Sequence, residues 1–235
     1  MSPKTLFKGP NRILSRLSAE DFALLEPHLS AVDLPLRRQL EVGRKPIEHV
    51  YFPDSGIVSV VANGDNKRNI EVGLIGREGM TGLAVVMGTD RSPHQTFVQS
   101  AGQGRRIPTD DLREAIHQSR TIHERFLLYA HAFLLQTGYT AMANGRAKIE
   151  ERLSRWILMA HDRIDGDTLA LTHEFLSVML GVRRPGVTHA LNLLERVGLI
   201  HATRGIITVI DREGLEENSN GAYGTPEAEF NRLFG

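Results

Sequence analysis

Residues 183–204 contain several side chains that donate hydrogen bonds in forks or pairs. Arginine presents a planar fork that matches a phosphate or one edge of guanine, asparagine can pair with adenine, and threonine and histidine add single hydrogen bonds. The candidates for this chemistry, including a threonine just upstream, are Thr172, Arg183, Arg184, Thr188, His189, Asn192 and Arg204. Their residue types predict contacts with the bases and the backbone of a nucleic acid.

Two short helices joined by a tight turn would position these side chains. Thr172 can cap the first helix, whose apolar residues fall on one stripe, and Gly181 can end it. Pro185 fits only the first turn of the second helix, where a missing N–H costs little. The apolar face of the second helix comprises Val187, Ala190, Leu191 and Leu194. In a helix-turn-helix the second helix enters the major groove of double-stranded DNA, so its outward polar residues would face the bases.

A β-hairpin is predicted directly after the second helix. Residues 199–202 and 206–210 flank the turn sequence Thr203-Arg204-Gly205. Arg204 at the tip would contact a phosphate. The sequence therefore predicts a winged helix, and the alternative is an ordinary helical hairpin with two arginines on a solvated face.

We call the predicted winged helix the head, and the residues before it show two further patterns. Between about residues 32 and 107, short β-rich runs are punctuated by glycines, which is typical of a roll or barrel. From Thr121 a long helix is predicted, in which residues 126–135 are almost uninterruptedly apolar. We therefore predict an α+β chain with an N-terminal β-roll (a double-stranded β-helix, jelly-roll-like), a long dimerisation helix and a C-terminal winged helix-turn-helix.

The expected domains are an N-terminal roll over residues 1–120, a dimerisation helix over 121–145, a DNA-binding domain over 146–217 and a flexible tail over 218–235. One roll cannot cover the long helix completely, so the same helix of a second copy is expected to form a parallel seam with it. The residues assigned to this seam are Ile122, Phe126, Tyr129, Phe133, Gln136 and Thr140. The alternative is a helix buried within one chain.

The tail is polar and rich in helix breakers, with only weak docking expected for Phe230, Leu233 and Phe234.

Composition and motifs exclude several kinds of site. The chain has no cysteine, which rules out a cysteine-containing zinc site, a thiol switch and a cysteine-ligated iron–sulfur cluster. Its ten histidines form no His-Glu-x-x-His motif, and no Walker loop or nucleophile elbow is present, so we expect neither an enzyme nor a metal site. Basic and acidic residues balance at 28 each, so the net charge does not favour DNA binding. Attraction to DNA would have to come from the local positive charge of one face of the protein. No signal peptide or bilayer-spanning run is apparent, which favours a cytoplasmic protein with no membrane partner.

These patterns resemble the Crp/Fnr superfamily of bacterial transcription regulators. Residues 171–215 resemble its C-terminal domain, and residues 50–58, Val-Tyr-Phe-Pro-Asp-Ser-Gly-Ile-Val, resemble the β-roll of its cyclic-nucleotide-binding-like domain. The two matches stand in the family's order and, with the helix between them, cover nearly the whole chain. The resemblance implies a homodimer that binds a palindromic operator and acts with RNA polymerase. It matches Arg184 to a guanine-reading arginine but places Pro185 and His189 where the best-known member has a base-reading glutamate and a second arginine, so the operator should differ.

The resemblance also locates an effector pocket in the roll. Family members that bind a cyclic nucleotide use a Gly-Glu-Leu stretch and a later Arg-Ser or Arg-Thr, whereas this chain has Gly82-Leu83-Ala84 without the glutamate. His94 stands at the arginine position, and Arg91-Ser92 comes two residues early. The candidate pocket is Gly82, Leu83, Ala84, Arg91, Ser92 and His94. We expect a roll that has either changed its ligand to an unknown small-molecule effector other than cyclic AMP or lost its ligand, and no certain cofactor. The alternatives are a haem- or metal-sensing regulator and a nucleotide-binding regulatory subunit that acts on a partner protein.

Overall fold

The computed structural model of the chain describes residues 7–64 and 69–235. In its N-terminal half, Ser18 caps the first helix by accepting a hydrogen bond from the Asp21 amide. The helices are α1 (Ala19–Leu25), α2 (Leu83–Val86) and α3 (Thr109–Gln118). The strands are β1 (Ser30–Leu34), β2 (Gln39–Glu41), β3 (His49–Pro53), β4 (Ile57–Asn63), β5 (Asn69–Ile75), β6 (Gln95–Ser100) and β7 (Gly102–Pro108).

These strands form two antiparallel sheets. One sheet has the order β1-β7-β3 and the other β2-β6-β4-β5. Buried apolar residues of β3 and β7, together with α1, α2, α3 and the long helix described below, line the larger N-terminal core. The predicted β-roll is confirmed.

The C-terminal half is mainly helical. Its helices are α4 (Arg120–Arg146), α5 (Ile149–His161), α6 (His173–Met179), α7 (Arg184–Arg196), α8 (Arg212–Asn218) and α9 (Thr225–Phe234). Its strands are β8 (Thr168–Ala170), β9 (Ile200–Thr203) and β10 (Ile206–Val209), which form a third sheet in the order β8-β10-β9. The hairpin of β9 and β10 confirms the predicted wing, and β8, which the sequence analysis did not predict, adds a third strand to it.

The head does not stand apart from the roll. Its core includes Ile57, Val61 and Leu74, which belong to β4 and β5. The rings of Phe97 on β6 and Phe175 on α6 meet edge to face, with their centroids 6.2 Å apart. The helix-turn-helix is therefore packed on the outer face of one sheet of the roll.

The long helix α4 buries a face that we had assigned to the dimer seam. Ile122, Phe126 and Tyr129 lie in the N-terminal core with at most 2% of their surface exposed. Gln136 is buried as well, and its side chain accepts from the Leu74 amide at 2.6 Å and donates to the Leu74 carbonyl at 3.2 Å. The seam assignment is wrong for these four residues, since they cover the chain's own roll.

The remaining two seam residues also make contacts within the chain. Phe133 is partly buried against the roll, and the Thr140 hydroxyl donates to the Gln136 carbonyl. The exposed apolar residues of α4 lie on another side of the helix, at Leu127, Leu128, Leu134 and Met142. Because nearly every side of this helix is apolar, the residue pattern alone did not show which side packs on the roll.

The prediction of a flexible tail is wrong. Residues 225–234 form α9, which packs against α4 and buries Phe230 and Phe234 in the N-terminal core. The two rings are stacked, with their centroids 4.8 Å apart. Apolar residues spaced for one helical face supply enough burial to order the segment, although the stretch before it is rich in glycine and asparagine.

Candidate DNA-binding interface and roll pocket

The helix-turn-helix forms through the local signals that predict it. The Thr172 hydroxyl accepts from the Phe175 amide at 3.2 Å and so caps α6. Gly181, at φ +62°, ends the helix in the left-handed conformation that favours glycine. Pro185 lies in the first turn of α7. Both helices bury one apolar face in the same core, through Leu176, Met179, Val187, Ala190, Leu191 and Leu194.

The outward face of α7 carries the predicted DNA-contacting residues. Arg183, at the helix cap, and the helical residues Arg184, Thr188, His189 and Asn192 are all exposed. Four of the five side chains therefore reach solvent from the cap and the N-terminal half of one short helix, which is the part of a recognition helix that reaches base edges, and Asn192 lies about one turn further along.

Two of these side chains are held by residues of α6. An Arg184 guanidinium nitrogen lies 2.8 Å from a carboxylate oxygen of Glu174, and both side chains are largely exposed. A ring nitrogen of His173 lies 3.1 Å from the Thr188 hydroxyl, which also donates to the Arg184 carbonyl. Glu174 therefore orients Arg184 and offsets part of its charge in the absence of DNA.

Arg196 was not among the predicted contacts. It is exposed and follows Asn192 by four residues, so it continues the same side of α7. The i, i+4 spacing from Asn192 is the signal that could have identified it.

The wing presents the predicted arginine at its tip. Gly205 adopts φ +77° in the turn between β9 and β10, and Arg204 beside it is exposed. On the other side of the wing, β8 pairs with β10 and the Leu171 amide donates to the Gly205 carbonyl at 2.8 Å. These bonds fix the hairpin to the start of α6.

We call the predicted set Gly82, Leu83, Ala84, Arg91, Ser92 and His94 the roll pocket, and its Gly82 amide is already bonded to a carboxylate of the chain itself. The Gly82 amide, at the start of α2, donates to Glu41 at 2.6 Å, and the Thr96 hydroxyl donates to the other Glu41 oxygen at 2.9 Å. Glu41 is 8% exposed, and burial raises the pKa of its carboxyl. Glu41 thus takes the Gly82 amide at the start of α2 and the Thr96 hydroxyl as its own donors. Glu41 lies 41 residues before Gly82, and no sequence signal connects the two.

Of the other predicted pocket residues, His94 is near enough to Glu41 to interact with it electrostatically, and the rest do not converge on this point. Arg91 is exposed and directs Nε and a terminal nitrogen to Asp90, both at 2.8 Å. Ser92 accepts from the His94 amide at 3.1 Å. Leu83 and Ala84 are partly buried against the N-terminal core. The structure therefore does not bring Arg91 to the start of α2.

Two further features concern other classes of protein. No helix within residues 7–64 and 69–235 is long and apolar enough to cross a bilayer. In the same ranges, no group of three or more histidine, aspartate or glutamate side chains is placed to hold a metal ion.

Residues 151–218 match the family of Crp-like helix-turn-helix domains. No curated protein matches the chain. Among solved structures, a transcriptional regulator of the Crp/Fnr family from Eubacterium rectale is similar over 87% of this chain and 96% of its own, with a TM-score of 0.70 and 17% identity. FixK2 from Bradyrhizobium japonicum covers 80% and 96%, with a TM-score of 0.70 and 16% identity. The c-di-GMP responsive global regulator CLP of Xanthomonas campestris covers 82% and 99%, with a TM-score of 0.66 and 19% identity. At these identities the likeness establishes a shared fold.

Proposed function

We propose, from its Crp-like helix-turn-helix domain and its Crp/Fnr fold, that this DNA-binding transcription regulator acts as a homodimer on a palindromic operator. The observation that carries the proposal is the exposed polar face of α7, where Arg183, Arg184, Thr188, His189 and Asn192 lie together. Arg184 would read a guanine edge, and Arg204 on the wing would bind a phosphate. Thr172 would contribute as the cap that fixes the start of α6.

The exposed side of α4 supports the homodimer. Exposed residues recur along it at coiled-coil spacing, at Leu127, Leu128, His131, Leu134, Gly138, Ala141, Met142 and Gly145; we call this set the α4 stripe. Leu134 is 68% exposed, which is unusual for a leucine in the middle of a long helix. Nothing lies within 4 Å of the space that a side chain would take at Gly138 or Gly145, so a second helix could approach closely there. A parallel pair of these helices would cover the α4 stripe and relate the two heads by a two-fold axis.

A cyclic nucleotide is not the effector in this proposal. Glu41 already accepts from the Gly82 amide and the Thr96 hydroxyl, and a phosphate at this place would meet a buried carboxylate. Any small-molecule control would then act through another site. The other proposed partners are double-stranded DNA and RNA polymerase, and the proposed location of the regulator is the cytoplasm.

Selection of bound duplexes from a random library by the purified protein tests this function, with parallel selections in the presence and absence of cyclic AMP. We expect an enriched two-fold symmetric site that is the same in both selections. Enrichment only with cyclic AMP would overturn the account of the roll pocket, and no enrichment in either selection would count against sequence-specific DNA binding.

A further inference from the structure

A cleft of about 340 Å³ lies where the roll, α4, the head and α9 meet. Arg77 enters it from the loop after β5, Tyr129 from α4, Arg163 from the end of α5, and Phe230 from α9. Its volume is within the range of small-molecule sites in proteins. This cleft is distinct from the roll pocket, because none of the residues predicted for that pocket lines it.

The carboxylates of the cleft already have partners. Glu78 pairs with Arg163 at 2.8 Å, and Glu227 accepts from the Gly224 amide at 2.9 Å. Asp162 accepts from Arg212 and from the Tyr223 hydroxyl, both at 2.8 Å. These contacts leave the acidic side chains with little capacity for a cationic ligand.

The donors of the cleft are not fully used. Buried Nε–H groups of Arg77 and Arg163 have no hydrogen-bond partner among the described residues. Arg163 is 6% exposed, so its guanidinium is also withheld from bulk water. Leaving such donors unsatisfied costs free energy, and an acceptor on a bound molecule would recover it. The unsatisfied groups therefore favour an anionic ligand.

Part of the wall is aromatic. Phe133, Tyr223 and Phe230 line the cleft, and the guanidinium of Arg12 lies over the Phe230 ring, 4.8 Å from its centroid. Flat apolar walls beside arginine donors suit a ring that carries a negative group.

We infer that this cleft is the effector site of the regulator and that it takes a small aryl carboxylate or aryl phosphate. The role of the cleft as an effector site rests on the proposed DNA-binding function. Its role as a ligand-binding site rests only on the geometry of the cleft. A ligand here would contact Arg77 of the roll, Arg163 and Arg212 of the head, and Phe230 of α9 at once. Its binding would therefore change how firmly the head is held to the roll.

Ligand-observed fluorine NMR tests the site without DNA. The probes are 4-fluorobenzoate and 4-fluorophenyl phosphate, and the neutral 4-fluorobenzyl alcohol is the comparison compound. We expect saturable binding of at least one anion and much weaker binding of the alcohol. Equal binding of the alcohol, or no saturable binding of either anion, would overturn the inference.

Two substitutions locate the binding. Arg77→Gln removes a donor whose ion-pair partner, Asp165, is 86% exposed, so the fold should tolerate it. Arg113→Gln is the matched control, because that arginine is similarly exposed and pairs with the 97% exposed Asp110 on α3. We expect affinity for the anion to fall about ten-fold in Arg77→Gln and to stay unchanged in Arg113→Gln. A folded Arg77→Gln protein that binds as tightly as the control would also overturn the assignment.

A separate measurement compares DNA affinity with and without the anion that binds. A protein that binds the anion but no DNA would retain the site and lose the proposed function. A protein that binds its selected DNA but no anion would retain the function and lose the site. If the anion binds and DNA affinity is unchanged, the cleft is a binding site but not the effector site.

Discussion

The indole N–H of Trp156 on α5 donates a hydrogen bond to the carboxylate of Glu71 on β5, with 2.6 Å between nitrogen and oxygen. The Ser59 hydroxyl of β4 donates to the other oxygen of the same carboxylate. Glu71 is 4% exposed. The Ser59 hydroxyl also lies 3.5 Å from the sulfur of Met179 on α6. A buried carboxylate thus joins the roll to the head in an interface that is otherwise mainly apolar.

Stability should depend on the protonation of Glu71. Burial raises the pKa of its carboxyl from 4.5 to about 7. Between these values the folded protein holds a proton that the unfolded chain releases, so the free energy of unfolding falls as pH rises through this window and levels off above it. Glu71→Gln removes this dependence and can still accept from Trp156. We expect the stability of the variant relative to wild type to grow by about 3 kcal/mol from pH 4.5 to pH 8, measured by urea denaturation. A difference that is the same at all pH values would contradict this.

Glu41 should stabilise the fold as the acceptor for two buried hydrogen-bond donors. Glu41→Ala leaves the Gly82 amide and the Thr96 hydroxyl without an acceptor, and we expect a decrease of about 3 kcal/mol in the free energy of unfolding. Formate is small enough to replace the missing carboxylate, so it should raise the melting temperature of the variant more than that of wild type. An alanine variant as stable as wild type would show that these hydrogen bonds contribute nothing.

The sequence was sufficient for the head because its signals are local. Thr172, Gly181 and Pro185 act within a few residues of themselves, and the spacing of the apolar residues in α6 and α7 shows which face of each helix is buried. The roll and the order of the elements were predictable for similar reasons, from short β-rich runs and the long apolar helix.

The features that the sequence did not reveal depend on distant partners. Phe126 and Leu134 are equally apolar, and only the packed structure shows that Phe126 covers the roll while Leu134 stays exposed. Glu41 meets Gly82, and Glu71 meets Trp156, across separations of 41 and 85 residues. The α9 helix is ordered by a core to which α4 and the roll contribute most of the surface.

The docked tail should contribute to stability. Phe234 is 1% exposed, stacks on Phe230 and lies beside the Arg125 guanidinium. Phe234→Ala should lower the free energy of unfolding by about 3 to 5 kcal/mol, because a large buried ring is replaced by a cavity. Arg232→Ala, in the same helix but 67% exposed, is the control and should leave the free energy of unfolding nearly unchanged. Equal effects of the two substitutions in urea denaturation would show that α9 is not held as described.

The α4 stripe should hold the dimer together. Leu134→Glu places a charge where two helices would meet, and because Leu134 is exposed in the single chain the fold should survive. We expect sedimentation equilibrium to show a monomer for this variant and a dimer for wild type. Leu36→Glu makes the same change at a leucine that is 57% exposed on the roll, and it should remain dimeric. A dimeric Leu134→Glu protein would place the interface elsewhere.

Arg184 and Arg204 should contribute to DNA binding in different ways. Arg184→Ala removes a side chain that would read one base pair in each half-site, so we expect binding to the selected operator to weaken by about 1 to 3 kcal/mol, with relaxed preference at that position. Arg204→Ala removes a phosphate-binding side chain, which should weaken all duplexes alike and reduce the slope of log K against log salt by about one for each phosphate that is no longer neutralised. Arg120→Ala, at a 91% exposed arginine that begins α4, is the control and should change neither quantity. Fluorescence anisotropy on the selected and a scrambled duplex at several salt concentrations separates these effects. Equal, sequence-independent weakening by Arg184→Ala and Arg204→Ala would mean that α7 does not read bases through Arg184.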